Sequence, residues 1–459
     1  MADFDLIVIG AGPGGYVAAL HAASLGMRTA VVESRDAGGT CLNRGCIPTK
    51  TLLHSSQVYY DALHGAHAGV HGENVTFSLR EMFDYKNEVT QKLRQGVESL
   101  FKSAKVEFIR GTAQITAPGK VSVSGEGAAE YTAEHILIAT GSVPAMPPIP
   151  GLDLPGVLTS DDILEGADTL FRSMVIIGGG VIGVELATFY SDLGCQVSIV
   201  EGLDRLLPGL DRELGQNLAL ILKKQGVSIY TNSMVSSVEK TADGMKVNFT
   251  AKGESGCAEG EVVLCAIGRR PYTDGLFAEG VTPEMNGRAI KVDAQYRTSL
   301  PGVYAIGDVS SRIQLAHVAS AQGVACVDMI CGKTNHTDMN IVPSCVYCRP
   351  EIASVGMTEA EAKDAGVAVK CGKHVMFDNA RTLIADRGRC FMKVVANADD
   401  HRILGAQLMC EHSSDMISQI SQAIANKMTA EQLLLAMRPH PSFEEALHET
   451  LEDLVKKLA

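Results

Sequence analysis

The sequence predicts an α/β protein built from two copies of a parallel strand–helix unit, followed by a C-terminal α+β domain. Three observations support this. The chain has 459 residues, which suffices for about three domains of roughly 150 residues each. A strand–glycine turn–helix pattern occurs twice, and from about Ile341 the pattern changes to short alternating strands followed by helical segments. The composition, 46% hydrophobic and 20% charged, is typical of a globular protein.

The first unit begins with an apolar run of strand length, Phe4–Ile9, which ends in a turn containing Gly10, Gly12, Gly14 and Gly15 before a helical segment over 16–24. In this spacing the first glycine permits a tight turn, the second lets the backbone approach a diphosphate, and the third lets helix and strand pack closely. The phosphates then meet the positive end of the helix dipole. A second strand ends at Glu33, whose carboxylate can accept hydrogen bonds from ribose hydroxyls.

The second unit repeats this pattern with Gly178, Gly180 and Gly183, which enclose Val181 and Ile182, and its second strand ends at Glu201. The third glycine and the acid are 18 residues apart in both copies. One such motif is weak support, because glycine-rich packing turns also match it. Two copies with the same spacing after a strand predict two Rossmann-like dinucleotide-binding domains.

The domain boundaries follow from where each unit closes. A later apolar strand ends at Gly141 for the first unit and at Gly268 for the second, 131 and 90 residues after the respective first glycines. The first unit therefore contains an insertion, and it holds Cys41 and Cys46. We expect a first dinucleotide domain over 1–143, a second over 144–270, a return to the first over 271–340 and a C-terminal domain over 341–459.

Charge and cysteine content restrict the class of protein. The formal net charge of −13 and the lack of a basic patch argue against nucleic-acid binding. Acidic residues near the N-terminus and the interruption of every long apolar run argue against a targeting peptide or a membrane span. We therefore expect a soluble, cytoplasmic protein in which the twelve cysteines are mostly reduced.

Cys41 and Cys46 are the strongest redox candidates, because they precede a helical segment over 51–60. Two cysteines at a helix start can form a local disulfide, and the helix dipole favours their thiolates. A zinc half-site is disfavoured, since zinc pairs usually have shorter spacing and need a second pair, so we expect no metal. Cys326 and Cys331 lie in or beside an apolar helical pattern that indicates core packing, and Cys345-Val-Tyr-Cys348 lies in a strand-like run.

Five motifs together resemble the pyridine nucleotide-disulfide oxidoreductase family over essentially the whole chain. They are the two glycine turns, Gly38-Gly-Thr-Cys41-x-x-x-x-Cys46-Ile-Pro, Gly307-Asp308, and the tail His440-Pro-Ser-x-Glu-Glu445. Within the family the chain is most similar to the dihydrolipoamide dehydrogenases. The resemblance implies a homodimer with FAD and NAD as cofactors. It also implies oxidation of protein-bound dihydrolipoamide on a lipoylated carrier protein of a 2-oxo acid dehydrogenase or glycine cleavage complex.

The resemblance also implies roles for individual residues. Cys41 is the interchange thiol, Cys46 the thiolate against the flavin, and Lys50, paired with Glu185, lies near the flavin. His440 is the base of the other subunit; Glu444 or Glu445 could orient it, and the family spacing selects Glu445. By itself Asp308 would be an ordinary turn aspartate, but the resemblance places it beside the flavin. The FAD residues implied are Gly10, Gly12, Gly14, Gly15, Glu33, Thr40, Lys50, Ala113, Gly141, Asp308 and Ala316. The NAD residues implied are Gly178, Gly180, Val181, Ile182, Gly183, Glu201 and Gly268.

Alternatives to this activity remain within and outside the family. Glu201 favours NAD over NADP because a carboxylate repels a 2′-phosphate, although Arg205 is close in sequence. The main alternative is another NAD(P)H-dependent disulfide reductase similar to glutathione reductase; a mercuric reductase is disfavoured by the lack of a C-terminal cysteine pair. A flavin-binding subunit without turnover is the third. Arg44 replaces the usual valine, and we hypothesise that it shifts the thiol pKa or admits a more anionic substrate.

Overall fold

The two glycine-turn units fold into two parallel sheets with the same strand order. This computed structural model describes residues 2–166, 170–386 and 388–459. In each unit the strand before the glycine turn is central, with the acid-terminated strand on one side and the later apolar strand on the other. Each glycine turn thus lies at the carboxyl end of a central parallel strand, where open α/β sheets bind ligands. The predicted fold class and internal repeat are confirmed.

The N-terminal sheet has seven strands, in which Ala129–Ile138 belongs both to the parallel part and to an antiparallel meander. Its edge strand beyond the repeat, Val303–Ala305, comes from much later in the chain and returns to this sheet. The strands in spatial order are Glu107–Arg110, Thr29–Glu33, Phe4–Ile9, Ala129–Ile138, Lys120–Ser124 and Thr112–Ala117. The helices around it are Pro13–Ser24, Gly39–Arg44, Cys46–His64, Leu79–Ala104 and Ala316–Ile330.

The central sheet has five parallel strands, and a three-stranded antiparallel sheet lies beside it. Ser142–Pro144 pairs with Arg269–Pro271 where the chain enters and leaves this unit. The parallel strands in spatial order are Ser228–Tyr230, Gln196–Val200, Ser173–Ile177, Val262–Cys265 and Val157–Thr159. The antiparallel strands are Ser233–Lys240, Met245–Ala251 and Glu254–Gly260, and the helices are Ser160–Glu165, Val181–Asp192 and Arg212–Lys224. A small hairpin, Met285–Asn286 with Ala289–Ile290, follows.

The C-terminal part is an antiparallel five-stranded sheet with helices, in agreement with the α+β pattern expected there. The strands in spatial order are Ser344–Val346, Ile352–Gly356, Ile403–Met409, Phe391–Asn397 and Val369–Val375. The helices are Glu359–Asp364, Ala380–Ile384, Ser413–Ala425, Ala430–Leu434 and Glu445–Leu458. Among the described residues, none of the helices has both the length and the apolar character needed to cross a membrane.

Two helix starts differ from the sequence-based expectation. The first helix begins at Pro13 rather than near residue 16, because the fixed φ of proline suits the first helical turn and its missing N–H would be unpaired there anyway. The two cysteines do not share one helix start. Cys41 lies in the short helix Gly39–Arg44, and Cys46 begins the long helix Cys46–His64 after a break at Gly45.

Candidate active site

A cleft of about 1340 Å³ runs between the N-terminal and central sheets and is also bordered by the start of the C-terminal part. This volume exceeds the roughly 300–1,000 Å³ of sites for drug-sized ligands. Both glycine turns, both acid-terminated strands and the redox cysteines border it. It is therefore large enough for two extended ligands that meet near the cysteines.

The two glycine turns are shaped for close approach of a ligand. Gly10 and Gly178 have φ of 102° and 108°, a conformation that L side chains rarely adopt. A Cβ on Gly180 would meet nothing within 4 Å, and one on Gly12 would reach only Gly39, at 4.0 Å. The backbone at these second glycines therefore faces open space at the N-terminus of a helix, which fits the diphosphate of a dinucleotide in each half.

Glu33 and Glu201 occupy equivalent positions with equivalent contacts. Glu33 accepts the N–H of Ala11 and the N–H of Arg35, each at 2.8 Å. Glu201 accepts the N–H of Gly179 at 2.6 Å and that of Leu203 at 2.7 Å. Each carboxylate is thereby fixed against its own glycine turn and borders the cleft, with acceptor sites left for ribose hydroxyls.

Asp308 borders the cleft and lies at the start of the turn after strand Val303–Ala305. The Ser142 hydroxyl donates to it at 2.6 Å, and Arg269 in turn donates to that hydroxyl at 2.9 Å. Burial raises the pKa of Asp308, an effect that the Ser142 hydrogen bond and the Arg269 charge oppose. This three-residue chain orients the carboxylate towards the cleft, where a ligand hydroxyl can pair with it.

The redox segment holds its two thiols in different states. Cys46 is exposed to the cleft, whereas Cys41 is half-buried. A hydrogen bond between the two thiols and, to a lesser degree, the Lys50 ammonium lower the pKa of Cys46 to about 7 despite the loss of solvent. The same hydrogen bond raises the pKa of Cys41. In the dithiol state Cys46 therefore ionises before Cys41.

Lys50 and Glu185 form a close ion pair beside these thiols. The Lys50 ammonium lies 2.8 Å and 3.0 Å from the two carboxylate oxygens of Glu185. Tyr347 adds two contacts: its N–H donates to Glu185 at 3.0 Å, and its ring lies under the ammonium at 4.8 Å from the centroid. Despite burial, the Glu185 carboxylate raises the pKa of Lys50, so the lysine is positively charged.

His440 and Glu445 are paired with each other but do not border the cleft of their own chain. The two side chains are 2.7 Å apart through Nδ1 of the imidazole. Glu445 also accepts the N–H of Ser442 at 2.9 Å, and these two contacts lower its pKa. The His440 side chain is 76% exposed, which leaves Nε2 accessible to another molecule.

The other predicted site residues are distributed as follows. Thr40, Gly141, Gly268 and most of the remaining residues border the cleft, whereas Gly15 and Gly183 lie beneath the turns. The cleft-lining set among them comprises Gly10, Gly12, Gly14, Glu33, Thr40, Ala113, Gly141, Asp308, Ala316, Gly178, Gly180, Val181, Ile182, Glu201 and Gly268.

Sequence reasoning missed Tyr347, Ser142 and Arg269 as parts of the site. Tyr347 lies between Cys345 and Cys348, and the cysteines drew attention away from it. The only local signal for Arg269 was its place directly after Gly268. Ser142 follows Gly141 and carries no motif of its own. Arg44 is buried and close to two acids, 3.5 Å from Asp36 and 3.9 Å from Asp161.

Comparison with known proteins gives matches to one enzyme family. The family described as pyridine nucleotide-disulphide oxidoreductase matches residues 4–323, and its dimerisation domain matches residues 342–451. "Dihydrolipoyl dehydrogenase" of Bacillus subtilis is 40% identical over 458 residues, covering 98% of this chain and 96% of the relative. "Dihydrolipoyl dehydrogenase 3" of Pseudomonas putida is 40% identical over 462 residues, covering 98% and 97%.

Solved structures show the same fold. LpdA from Mycobacterium tuberculosis superposes with a TM-score of 0.89 at 28% identity and covers 97% of this chain and 99% of its own. The HOCl-induced flavoprotein disulfide reductase RclA from Escherichia coli gives 0.85 at 29% identity, covering 98% and 99%. The matched dimerisation domain supports a homodimer. The chain belongs to the pyridine nucleotide-disulphide oxidoreductase family.

Proposed function

We propose that this protein is a flavin-dependent dihydrolipoyl dehydrogenase that oxidises protein-bound dihydrolipoamide and reduces NAD⁺. Its cofactors are FAD and NAD. The observation that carries the proposal is the lowered pKa of Cys46 beside the Lys50–Glu185 pair. Cys46 lies in the cleft that both glycine turns border; these turns are here called the two dinucleotide cradles. Relatives of that name match nearly the whole chain at about 40% identity.

The first half of the reaction is dithiol–disulfide exchange. His440 of the partner subunit accepts a proton from the substrate dithiol through Nε2, while Glu445 holds Nδ1 and stabilises the imidazolium. The resulting substrate thiolate attacks the Cys41 sulfur of the Cys41–Cys46 disulfide, and Cys46 leaves as a thiolate. The second substrate thiol then displaces Cys41, which gives lipoamide and the reduced enzyme. The exposed His440 side chain does not line the cleft of its own chain, which supports this partner role.

The second half moves the electron pair to the nicotinamide. Bound at the first glycine turn, FAD would supply the two-electron chemistry that links oxidation of the Cys41–Cys46 dithiol to the disulfide with reduction of NAD⁺ to NADH. The chain's part is electrostatic: the Lys50 cation favours the Cys46 thiolate and negative charge nearby, and Glu185 and Tyr347 keep Lys50 in place. Asp308 and Glu33 offer acceptors for hydroxyls of the flavin dinucleotide.

NAD⁺ rather than NADP⁺ is the proposed acceptor because Glu201 is fixed by two backbone N–H groups at the ribose end of the second cradle. A fixed carboxylate pairs with a 2′-hydroxyl and repels a 2′-phosphate. The proposed macromolecular partner is a lipoylated carrier protein. A cytoplasmic location is also part of the proposal, because that compartment keeps cysteines outside a catalytic redox pair reduced.

Rapid-mixing spectroscopy of the purified holoenzyme tests the proposal. We expect dihydrolipoamide to produce a long-wavelength thiolate–flavin absorbance band, and NAD⁺ to remove the band with formation of NADH. The band should be lost in Cys46→Ser. Turnover with NADPH and glutathione disulfide but not with dihydrolipoamide would instead identify a glutathione-reductase-like enzyme and overturn the proposal.

A further inference from the structure

A buried ion pair outside the site described above joins all three parts of the fold. Arg349, from the segment between the first two C-terminal strands, pairs with Asp192, the last residue of helix Val181–Asp192 in the central unit. The two side chains are 7% and 3% exposed. The N-terminal unit joins through the long helix Cys46–His64, here called the redox helix: Ser56 donates to Asp192 at 3.1 Å, and Gln57 accepts from Arg349 at 2.9 Å.

This cluster lies about two helical turns from the catalytic ion pair, between the same two helices. Lys50 and Gln57 are seven residues apart on the redox helix, and Glu185 and Asp192 are seven apart on the facing helix. Seven residues are close to two turns, so each pair shares one face, separated by about 10 Å along the axis. The two helices are therefore bound by two polar contacts, Lys50–Glu185 near the thiols and Ser56–Asp192 in the middle of the redox helix.

The short segment 347–349 contacts both the Lys50–Glu185 pair and Asp192. Tyr347 donates its N–H to Glu185 and lies under Lys50, and Arg349, two residues later, binds Asp192. The guanidinium of Arg349 also lies over the ring of Tyr60 on the redox helix, 3.7 Å from its centroid. A shift of the segment or of either helix would therefore disturb both contacts together.

Stability alone is a poor reason for such a cluster. Burial raises the pKa of Asp192 although Arg349 and Ser56 oppose this, so desolvation of the carboxylate is costly. Buried ion pairs often contribute no more than apolar residues of the same size would. Unlike apolar packing, however, directed hydrogen bonds fix the register and rotation of one helix against another.

We propose that Arg349 and Asp192 are positioning residues that set the register of the redox helix, and thereby hold Lys50 and Glu185 beside Cys46. This inference rests on the proposed function for its catalytic consequence. Ser56 and Gln57 of the redox helix contact the Arg349–Asp192 pair directly. Tyr347 contacts the Lys50–Glu185 pair. Loss of the Ser56–Asp192 contact should let the redox helix rotate or slide, which weakens the Lys50–Glu185 pair. No group that touches substrate or cofactor is removed.

The test compares Asp192→Asn with Asp211→Asn. Asp211 forms the matched control: its ion pair with Lys393, at 2.6 Å, is similarly buried and also joins the central unit to the C-terminal sheet. Within the described contacts it does not touch the redox helix, and asparagine preserves its helix-capping role. Hydrogen–deuterium exchange is measured over 46–64 with and without FAD, and the thiolate–flavin band is measured at pH 7.

We expect Asp192→Asn to speed exchange in the redox helix at least threefold with and without FAD, and to lower the band at least twofold. Asp211→Asn should change neither by more than a small fraction. Equal effects of the two variants, or a band unchanged in Asp192→Asn, would overturn the inference. If Asp192→Asn does not fold, Ser56→Ala removes the helix-to-helix bond without stranding a charge, and the same two outcomes apply. A wild-type enzyme that lacks the band contradicts the proposed function, whereas the exchange measurement without FAD still decides the helix contact.

Discussion

The two partners of the Lys50–Glu185 pair should shift the ionisation of Cys46 in opposite directions. Lys50 lowers the pKa of Cys46 and Glu185 raises it, so Lys50→Met should raise that pKa and Glu185→Gln should lower it. The glutamine oxygen can still accept from Tyr347 and Lys50, so the lysine keeps its place in the second variant. If each substitution only disrupted the ion pair, the pKa of Cys46 would shift in the same direction in both variants.

The size of the effect follows from the ordinary thiol pKa. With a pKa of about 7, half of Cys46 is thiolate at pH 7. At the ordinary value of about 8.5 only roughly 3% would be thiolate. The Cys41 hydrogen bond supplies the larger share of the lowering and persists in Lys50→Met. We therefore expect the band at pH 7 to fall about two- to tenfold in that variant, within the limits set by those pKa values.

The assay is a pH titration of the thiolate–flavin band in the two-electron-reduced holoenzyme, from pH 5 to 9. Wild type should have its midpoint near pH 7, Lys50→Met above it and Glu185→Gln below it. The fully oxidised flavin spectrum of each variant serves as the control for cofactor content. Midpoints that move in the same direction, or do not move, would refute the electrostatic explanation.

Three further predictions concern the nucleotide, the base and the redox turn. Glu201→Arg should lower the ratio of kcat/KM for NAD⁺ to that for NADP⁺ by at least about tenfold, roughly 1.4 kcal/mol. The reason is that it replaces repulsion of a 2′-phosphate by attraction. An unchanged ratio would contradict the proposed contact of Glu201 with the ribose. Glu445→Gln should lower kcat with dihydrolipoamide by roughly 10²-fold. Reduction of the flavin by NADH needs no thiol base and should keep its rate. Equal losses in both rates would contradict the role of Glu445 as the partner of the base. Arg44→Val should lower the free energy of unfolding by about 1–3 kcal/mol, since Asp36 and Asp161 lose a buried partner, and denaturant unfolding of the holoenzyme measures this. A shifted pH profile of the band would instead support our initial hypothesis that Arg44 tunes the thiols.

Local patterns made the fold predictable. Apolar runs, glycine spacing and the acid 18 residues later all lie within short segments, and together they define the two parallel units. The acid that pairs with His440 was predictable with the help of the family resemblance, which selected Glu445 over Glu444. The break at Gly45 was not, because a glycine between two cysteines is equally compatible with one continuous distorted turn.

Contacts between distant segments could not be predicted in this way. Ser142 and Asp308 are 166 residues apart, and Asp192 and Arg349 are 157 apart. Neither pair belongs to a periodic pattern, since each depends on how two units dock. Lys50 and Glu185, 135 residues apart, were paired only through the family resemblance.

The docking of the units explains why polar contacts are concentrated on the redox helix. The helix must keep Cys46 fixed against one ligand held by its own unit and another held by the central unit, and the hydrophobic effect that packs its apolar face has no preferred direction. A small rotation would cost little apolar burial, yet it would move the thiol relative to both cradles. The hydrogen bonds of Lys50, Ser56 and Gln57 to the neighbouring units resist such rotation, because hydrogen bonds weaken steeply with angle. An enzyme whose electrons must pass from a thiol through one nucleotide to another therefore gains geometric precision from buried charges, even where they add little to stability.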